Sequence, residues 1–449
     1  MLRGNRETAF FGLSTDSRTL KKGEVFLTLR GEHYDGHTFV PDALDKGAAG
    51  AIVENGHINS GVTESFKSEA LIVVPEALRA LGDIAKFWRN SFSIPIVGIT
   101  GSNGKTSTKE IIAFLLEERY RVLKSRGSFN NLVGLPLTLL DLESSHEIAV
   151  LEMGTNMPGE IERLAEIAQP TVGVITNIGE VHLEGMGSLE VLIKEKGELF
   201  RRIGEKGVVA INRNDPHVSA LASDCQARKV AFGIETETHV MIDRIQWRGV
   251  KGVRFRLTVG QDSAFIDLPV MGVQFVHNVA AAAAVASIFE ISATDMKDRL
   301  KRFKPPPMRM EIIPFGEVTY INDAYNANPP SVEMALKTLS RAVGKGRAFV
   351  VLGDMLELGD ISRRAHKEVG RIIGELNIAG LFLLGDHATH VAAGATEAKM
   401  NPSNVRIANS HNEIAGFLKD LVRPGDWVLV KGSRRMEMEK VITILREGA

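Results

Sequence analysis

Ile94-Pro-Ile-Val-Gly-Ile-Thr-Gly-Ser-Asn-Gly-Lys-Thr106 is the stretch whose reading decides the fold. Its apolar run, Ile94 to Ile99, predicts a buried strand. Gly101 and Gly104 break the run, and Lys105-Thr-Ser-Thr-Lys-Glu-Ile-Ile-Ala-Phe-Leu-Leu then continues with helical periodicity. Strand, glycine loop and helix in that order is the setting a phosphate-binding loop requires. Glycines let backbone N–H groups curl around phosphate oxygens, and the helix N-terminus adds positive potential. Lys105 is placed to reach the β- and γ-phosphates and the Thr106 hydroxyl to touch Mg²⁺. The loop is one residue shorter than the usual spacing when counted from Gly101 and one longer from Gly98. Gly101, Ser102, Asn103, Gly104, Lys105, Thr106 and Ser107 are therefore the expected nucleotide-binding residues, and the chain is expected to bind a nucleoside triphosphate.

Outward from this loop, 449 residues imply two to four domains. A hydrophobic fraction of 44% and a charged fraction of 24% are ordinary for a globular protein. The formal net charge of -1 gives no reason to expect nucleic-acid or membrane-surface binding. The single cysteine, Cys225, excludes an internal disulfide framework and fits a reducing compartment. The N-terminal residues lack the apolar core of a signal peptide, and the longest apolar run, Val279 to Phe289, is too short to span a bilayer. That run is expected to be a packed helix, and the protein to be cytoplasmic.

Three blocks follow. Residues 1–91 read as a small α/β unit, with strands at Val25–Leu29, Ala51–Glu54 and Leu71–Val74 and helices at Val40–Lys46 and Ala77–Ser91. Its Ser14–Ser17 run reads first as turn and cap chemistry. Residues 92–307 alternate strand and helix, as a parallel sheet requires. In that block Lys124 to Pro136 reads as a polar, glycine-rich loop, and residues 228–270 as a β-ribbon. Pro305-Pro-Pro-Met-Arg309 punctuates the chain. Residues 308–449 repeat the alternation as a small doubly wound, Rossmann-like unit. The fold class is thus α/β in three domains, the central one a P-loop-type parallel sheet.

Ligands of open parallel sheets sit beyond the carboxyl ends of the strands. Successive strands of the central block deliver Lys105 and Thr106, then Glu152, then His182 a few residues further on. Hydroxyl, carboxylate and imidazole beside a triphosphate form a credible Mg²⁺ site for one or two ions. Lys196, on the helix after His182, is out of place near cations unless CO₂ converts it to a carbamate, an anionic oxygen ligand. The bland reading is a solvated helical lysine, and Lys194 competes for the role. Three functions remain open on the residues alone: an ATP-dependent ligase that activates a carboxylate, a motor or transport ATPase, and a GTPase switch. No Asn-Lys-x-Asp stands where the switch needs one, and the strand ending Glu152-Met-Gly154 lacks the terminal Asp of the ATPase class.

These residues resemble the Mur ligase family along the whole chain. The likeness is carried by Thr100-Gly-Ser-Asn-Gly-Lys-Thr-Ser-Thr-Lys109, Phe129-Asn-Asn-Leu-Val-Gly-Leu-Pro136, Glu152-Met-Gly-Thr-Asn-Met-Pro-Gly159 and Asn177-Ile-Gly-Glu-Val-His-Leu-Glu184. Asn322-Asp-Ala-Tyr-Asn-Ala-Asn-Pro-Pro330, Val351-Leu-Gly-Asp-Met-Leu-Glu-Leu-Gly359 and Lys431-Gly-Ser-Arg434 extend it through the last block. The Tyr-Asn-Ala-Asn-Pro and Leu-Gly-Asp-Met-Leu-Glu-Leu-Gly stretches are those of members that add D-alanyl-D-alanine. The Asp-Asn-Pro-Arg of the diaminopimelate-adding members is absent, and Val181 stands where a small residue is expected before His182.

The resemblance implies ATP-dependent amide synthesis on UDP-MurNAc-tripeptide with D-Ala-D-Ala, through an acyl phosphate, by a monomer. It assigns Ser17 and Arg18 to the UDP substrate, overturning the cap reading. It assigns Lys105 to the transferring phosphate, and Thr106, Glu152, His182 and Lys196, which falls where the family has its carbamylated lysine, to two Mg²⁺ ions. Asn278 matches an adenine contact and Asn131 a residue near the phosphates. Arg309 and Asp323 match groups reaching ATP from the third domain, and Asn326 and Asn328 fall where the dipeptide binds.

Overall fold

The computed structural model describes residues 2–3, 7–31, 34–56, 66, 69–181, 183–344 and 346–447. His182 lies outside the described residues. Among these residues the chain builds three sheets in succession.

The first sheet contains β1 (Leu2–Arg3), β2 (Leu13–Ser14), β3 (Val25–Leu27), β4 (Gly50–Glu54) and β5 (Ala70–Val74), in the order β1-β5-β4-β3-β2. β1 runs antiparallel to β5 and the other pairs are parallel. The Ala77–Arg89 helix leaves this sheet and docks onto the next unit. Lys86 pairs with Glu166 at 2.9 Å, Arg163 with Asp83 at 2.5 Å, and Trp88 Nε1 donates to the Leu142 carbonyl. The helix is therefore fastened to the unit that follows it.

The second sheet runs from β6 (Ile96–Thr100) through β7 (Val122–Lys124), β8 (Ile148–Glu152), β9 (Val172–Ile175), β10 (Val208–Asn212) and β11 (Arg228–Ile234) to β12 (Val240–Trp247), β13 (Val253–Val259) and β14 (Asp262–Leu268). Its order is β14-β13-β12-β11-β10-β9-β6-β8-β7. β6, β8 and β9 are fully buried apolar runs, as strands covered on both faces must be. They lie side by side, so their carboxyl ends open at one edge. The expected ribbon is present as an antiparallel meander of β12, β13 and β14. The Val273–Ile288 helix packs against the sheet with eleven buried residues, as the alanine run predicts.

The polar stretch from Lys124 to Pro136 is not loop throughout. β7 reaches Lys124, and the Gly134–Leu140 helix begins inside it. Gly134 and Pro136 look like breakers, but proline lacks only an N–H that the first helical turn leaves unpaired.

The third sheet holds β15 (Glu311–Phe315), β16 (Val318–Asp323), β17 (Ala348–Gly353), β18 (Ile378–Leu384), β19 (Val405–Ala408) and β20 (Trp427–Lys431), ordered β15-β16-β20-β17-β18-β19. Only β15 is antiparallel. Among the described residues no helix is long and apolar enough to cross a membrane.

Candidate active site

The loop between β6 and the Lys105–Leu116 helix takes its shape from two glycines. Gly101 has φ +144° and Gly104 φ +83°, and a Cβ at either would overlap Thr176 Oγ1 or Asn278 Oδ1 respectively. Neighbouring strand ends hold the loop in place. Asn103 N donates to Asn177 Oδ1 at 3.0 Å, and Thr176 Oγ1 donates to the Asn103 carbonyl at 2.6 Å. Ser102 Oγ donates to the Gly179 carbonyl at 3.0 Å. Lys105 Nζ folds back onto the Gly101 carbonyl at 2.8 Å. Burial lowers the pKa of this ammonium; Glu152 opposes that shift and Arg309 adds to it.

Thr106 joins three parts of the chain. Its hydroxyl donates to Glu152 Oε2 at 2.8 Å and accepts from Arg309 Nη2 at 2.8 Å. Glu152 is 1% exposed at the end of β8, and its other oxygen accepts from Asn130 Nδ2 at 2.8 Å. Asn130 is set by a loop rooted on Lys109. This lysine is 0% exposed, and its ammonium donates to the Ser125 and Gly127 carbonyls at 2.7 and 2.5 Å.

Lys196 is 1% exposed, which overturns the solvated reading, whereas Lys194 is exposed. Burial, reinforced by the charge of Lys105 and opposed by Glu195, holds Lys196 well below the ordinary lysine range. Its ammonium forms no hydrogen bond among the described residues, and Lys196 is not among the cavity-lining residues.

The third unit closes the other side. Asn328 caps the Pro329–Ala342 helix through Oδ1 and donates from Nδ2 to Asn103 Oδ1 at 2.7 Å. Both ends of its carboxamide are thus occupied. The Tyr325 hydroxyl hydrogen-bonds Ser128, and its ring carries the Arg309 guanidinium at 4.1 Å. Asp323 pairs with the buried Lys431 at 2.5 Å and accepts from Met310 N, so it fixes the backbone beside Arg309. Asn326 is exposed, and its carboxamide has no bonded partner among the described residues.

Between these walls lies a cavity of 660 Å³. Of the expected residues it brings together Ser102, Asn103, Gly104, Lys105, Thr106, Ser107, Asn131, Glu152, Asn278, Arg309, Asp323, Asn326 and Asn328. Gly101 shapes the loop without lining the cavity, and Asn131 braces the turn before the Gly134–Leu140 helix, its Oδ1 accepting from Val133 N at 3.2 Å and Gly134 N at 2.8 Å. Ser17 and Arg18 lie elsewhere, in the first unit. Ser17 is buried, with its carbonyl bonded to Lys46 Nζ. Arg18 is exposed and grips Asp16, whose carboxyl it lowers to about 2.

Three family models now match the chain in order: "Mur ligase family, catalytic domain" over residues 10–89, "Mur ligase middle domain" over 99–286, and "Mur ligase, glutamate ligase domain" over 308–434. The chain belongs to the Mur ligase family. It is 35% identical over 98% of its length to the UDP-N-acetylmuramoyl-tripeptide–D-alanyl-D-alanine ligase of Bacillus subtilis, covering 94% of that protein. Its structure matches that of MurF from Acinetobacter baumannii with a TM-score of 0.87 at 31% identity, over 97% of this chain and 93% of that one. It also matches MurF from Thermotoga maritima in complex with ADP, with a TM-score of 0.85 at 27% identity, over 98% and 97%.

Several groups in this Mur ligase site carried no role in the sequence reading. Asn130, Lys109, Tyr325 and Lys431 stand in the quoted motifs without one. Gln274 had no signal: it lines the cavity beside Asn278, and its Oε1 is buried with no hydrogen-bond partner among the described residues.

Proposed function

We propose that this Mur ligase joins D-alanyl-D-alanine to UDP-N-acetylmuramoyl-tripeptide at the expense of ATP, giving the pentapeptide precursor of peptidoglycan with ADP and phosphate. The observation carrying this reading is the convergence on one cavity of a phosphate-binding loop, a buried carboxylate–hydroxyl pair and the third unit's Arg309, Asn326 and Asn328. It joins full-length similarity to ligases of that name. Residues 1–91 are proposed as the UDP-substrate domain, with Ser17 and Arg18 in contact, 92–307 as the ATP domain, and 308–449 as the domain that closes and carries the dipeptide. The enzyme acts as a cytoplasmic monomer in this reading.

A carboxylate oxygen of the tripeptide attacks the γ-phosphorus and ADP leaves. The dipeptide amine then attacks the acyl carbon, phosphate leaves and the amine loses its proton. Lys105 and the loop N–H groups stabilise charge on the equatorial oxygens during the first step. Arg309 adds a second cation. The Tyr325–Ser128 and Asn328–Asn103 contacts hold the third domain over the loop and keep water from the acyl phosphate.

Thr106 and Glu152 suit Mg²⁺, a hard cation that takes one or two carboxylates and completes its shell with phosphate oxygens and water. The pair already draws one cation, the Arg309 guanidinium. Bound there, Mg²⁺ would neutralise charge on the phosphates; His182 and Lys196 are the further proposed ligands. A neutral amine is the form that adds CO₂, and burial favours that form of Lys196.

Phosphate release from ATP and Mg²⁺ with UDP-MurNAc-tripeptide, with and without D-Ala-D-Ala, tests the reading. Release requiring both substrates, with a pentapeptide product by mass, is expected. Release indifferent to both would overturn it in favour of an ATPase.

A further inference from the structure

The charges on the cavity wall are mostly spoken for. Lys105 bonds loop carbonyls, Arg309 bonds Thr106, and Lys431 is neutralised by Asp323 in a buried pair. On the third domain's wall that leaves Arg434 and Arg435.

The two differ in how they are held. Arg434 Nη1 pairs with Glu439 Oε1 at 2.7 Å and lies 3.8 Å from Met308 Sδ, one residue from Arg309. The second oxygen of Glu439 is buried and has no hydrogen-bond partner among the described residues, so Arg434 is the group its carboxylate engages. The turn carrying Arg434 is pinned as well: Ser433 N donates to the Asp354 carbonyl at 3.0 Å, and Leu356 N donates to Ser433 Oγ at 2.8 Å. Arg434 therefore leaves the carboxyl end of β20 in a fixed direction. Its Nε and Nη2 make no hydrogen bond among the described residues. Those two nitrogens form the side-on fork that a carboxylate accepts in two parallel bonds. Both arginines are exposed, and Arg435 has no such orienting partner among the described residues.

Resting on the ligase reading above, we propose that Arg434 receives the terminal carboxylate of the incoming dipeptide, with Glu439 as its positioning residue. The dipeptide then spans the cavity, its carboxylate on the third domain and its amine toward the acyl carbon near Lys105. Selectivity for an acceptor with a free carboxylate follows, because an amide terminus offers Arg434 one neutral oxygen in place of two charged ones.

The test compares D-Ala-D-Ala with its C-terminal carboxamide as acceptors for the full-length enzyme and its Arg434→Ala, Arg434→Lys, Arg435→Ala and Glu439→Gln variants. Wild-type turnover on the dipeptide, measured first, tests the ligase reading. The acid-to-amide ratio tests this one. Arg434→Ala is expected to raise KM for the dipeptide roughly 10- to 100-fold, the scale of losing charge-assisted hydrogen bonds, and to abolish discrimination between acid and amide. Arg434→Lys should restore part of the discrimination, and Glu439→Gln should weaken it without removing it. Acyl-phosphate formation without dipeptide, trapped by borohydride reduction, should stay at the wild-type level in Arg434→Ala. Discrimination retained in Arg434→Ala, an equal loss in acyl-phosphate formation, or discrimination lost in Arg435→Ala alone would each overturn the assignment.

Discussion

Replacing Lys109 by Met tests whether the buried Glu152 carboxylate is set by a lysine that lies outside the cavity lining. Methionine keeps most of the apolar stem and deletes the ammonium. The Ser125 and Gly127 carbonyls then lose a charged donor at 2.7 and 2.5 Å, and Glu110 loses a partner at 2.9 Å. A buried hydrogen bond to a charged group contributes roughly 1.5–3 kcal/mol, so two lost bonds cost about 3–6 kcal/mol. This cost falls on the loop through residue 131, because the carbonyls belong to its first residues. The same loop presents Asn130 to Glu152 and Ser128 to Tyr325. Amide hydrogen exchange across residues 125–131 should accelerate by at least ~10²-fold, the equivalent of about 3 kcal/mol of local opening, ahead of exchange in β6 and β8. Turnover should fall at least ~10-fold, as Glu152 loses its orienting amide. Unchanged loop protection with turnover within two-fold of wild type would refute the reasoning and make Lys109 a buried filler.

Lys105→Ala should lower turnover by ~10²-fold or more, the usual scale for one preorganised electrostatic donor, in steady-state phosphate release; a change of a few-fold would remove Lys105 from the chemistry. Lys196→Ala should be inactive and partly rescued by short-chain carboxylic acids, and wild-type enzyme in ¹³C-bicarbonate should give a carbamate resonance that the variant lacks. Full activity, or inactivity without rescue or resonance, would end the carbamate reading. His366 supplies a pH prediction, since its Nε2 accepts from Met355 N at 2.9 Å and holds the loop that carries Leu356 into the cavity. Burial lowers its pKa from 6.5, with His387 and His390 adding to the shift and the Ser362 carbonyl and Asp354 opposing it. The folded state thus binds this proton more weakly than the unfolded chain does. Its contribution to stability is complete above about pH 6.5 and is lost as pH falls below that value. His366→Asn, which can accept from Met355 N and cannot titrate, should flatten the acid side of a Tm-against-pH profile; an unchanged slope would assign that side to other groups.

What the sequence makes legible here is local. The strand, loop and helix around Gly101 and Gly104 follow from one short stretch, because backbone at positive φ and a helix N-terminus are determined by neighbours in the chain. Periodicity does not show β1, β2, β7, β12 and β15; the first three are only two or three residues long, and the last two each have a physical reason. β15 contains Pro314, which an edge strand tolerates but which reads as a breaker. β12 changes register between Asp243 and Gln246, with Arg244 at φ +51°, so its alternation of buried and exposed residues shifts midway. The contacts that assemble the site are the opposite of local. Tyr325–Ser128, Arg309–Thr106 and Asn328–Asn103 join residues 197, 203 and 225 positions apart, and no spacing rule connects them. Asn328, which the resemblance puts at the dipeptide site, lines the cavity, and its carboxamide also caps a helix and bonds Asn103.

Lys196 marks the boundary between these two kinds of information, because its burial had a local signature. The Leu189–Arg201 helix carries Lys194 and Lys196 only two positions apart, about 200° around the axis, so they cannot share a face. Lys196 stands four residues after Leu192, three before Leu199 and four before Phe200, all of them buried. Its side chain therefore issues from the apolar stripe, whereas Lys194 issues from the solvent side. A lysine on a core-facing stripe must either find a carboxylate or give up its charge. Its neighbour Glu195 turns its carboxylate to Gly159 N and Ile161 N at 2.8 and 2.7 Å and forms no ion pair with Lys196 among the described residues. The helical pattern thus predicts the buried amine, and only the fold reveals that its neighbour is already occupied.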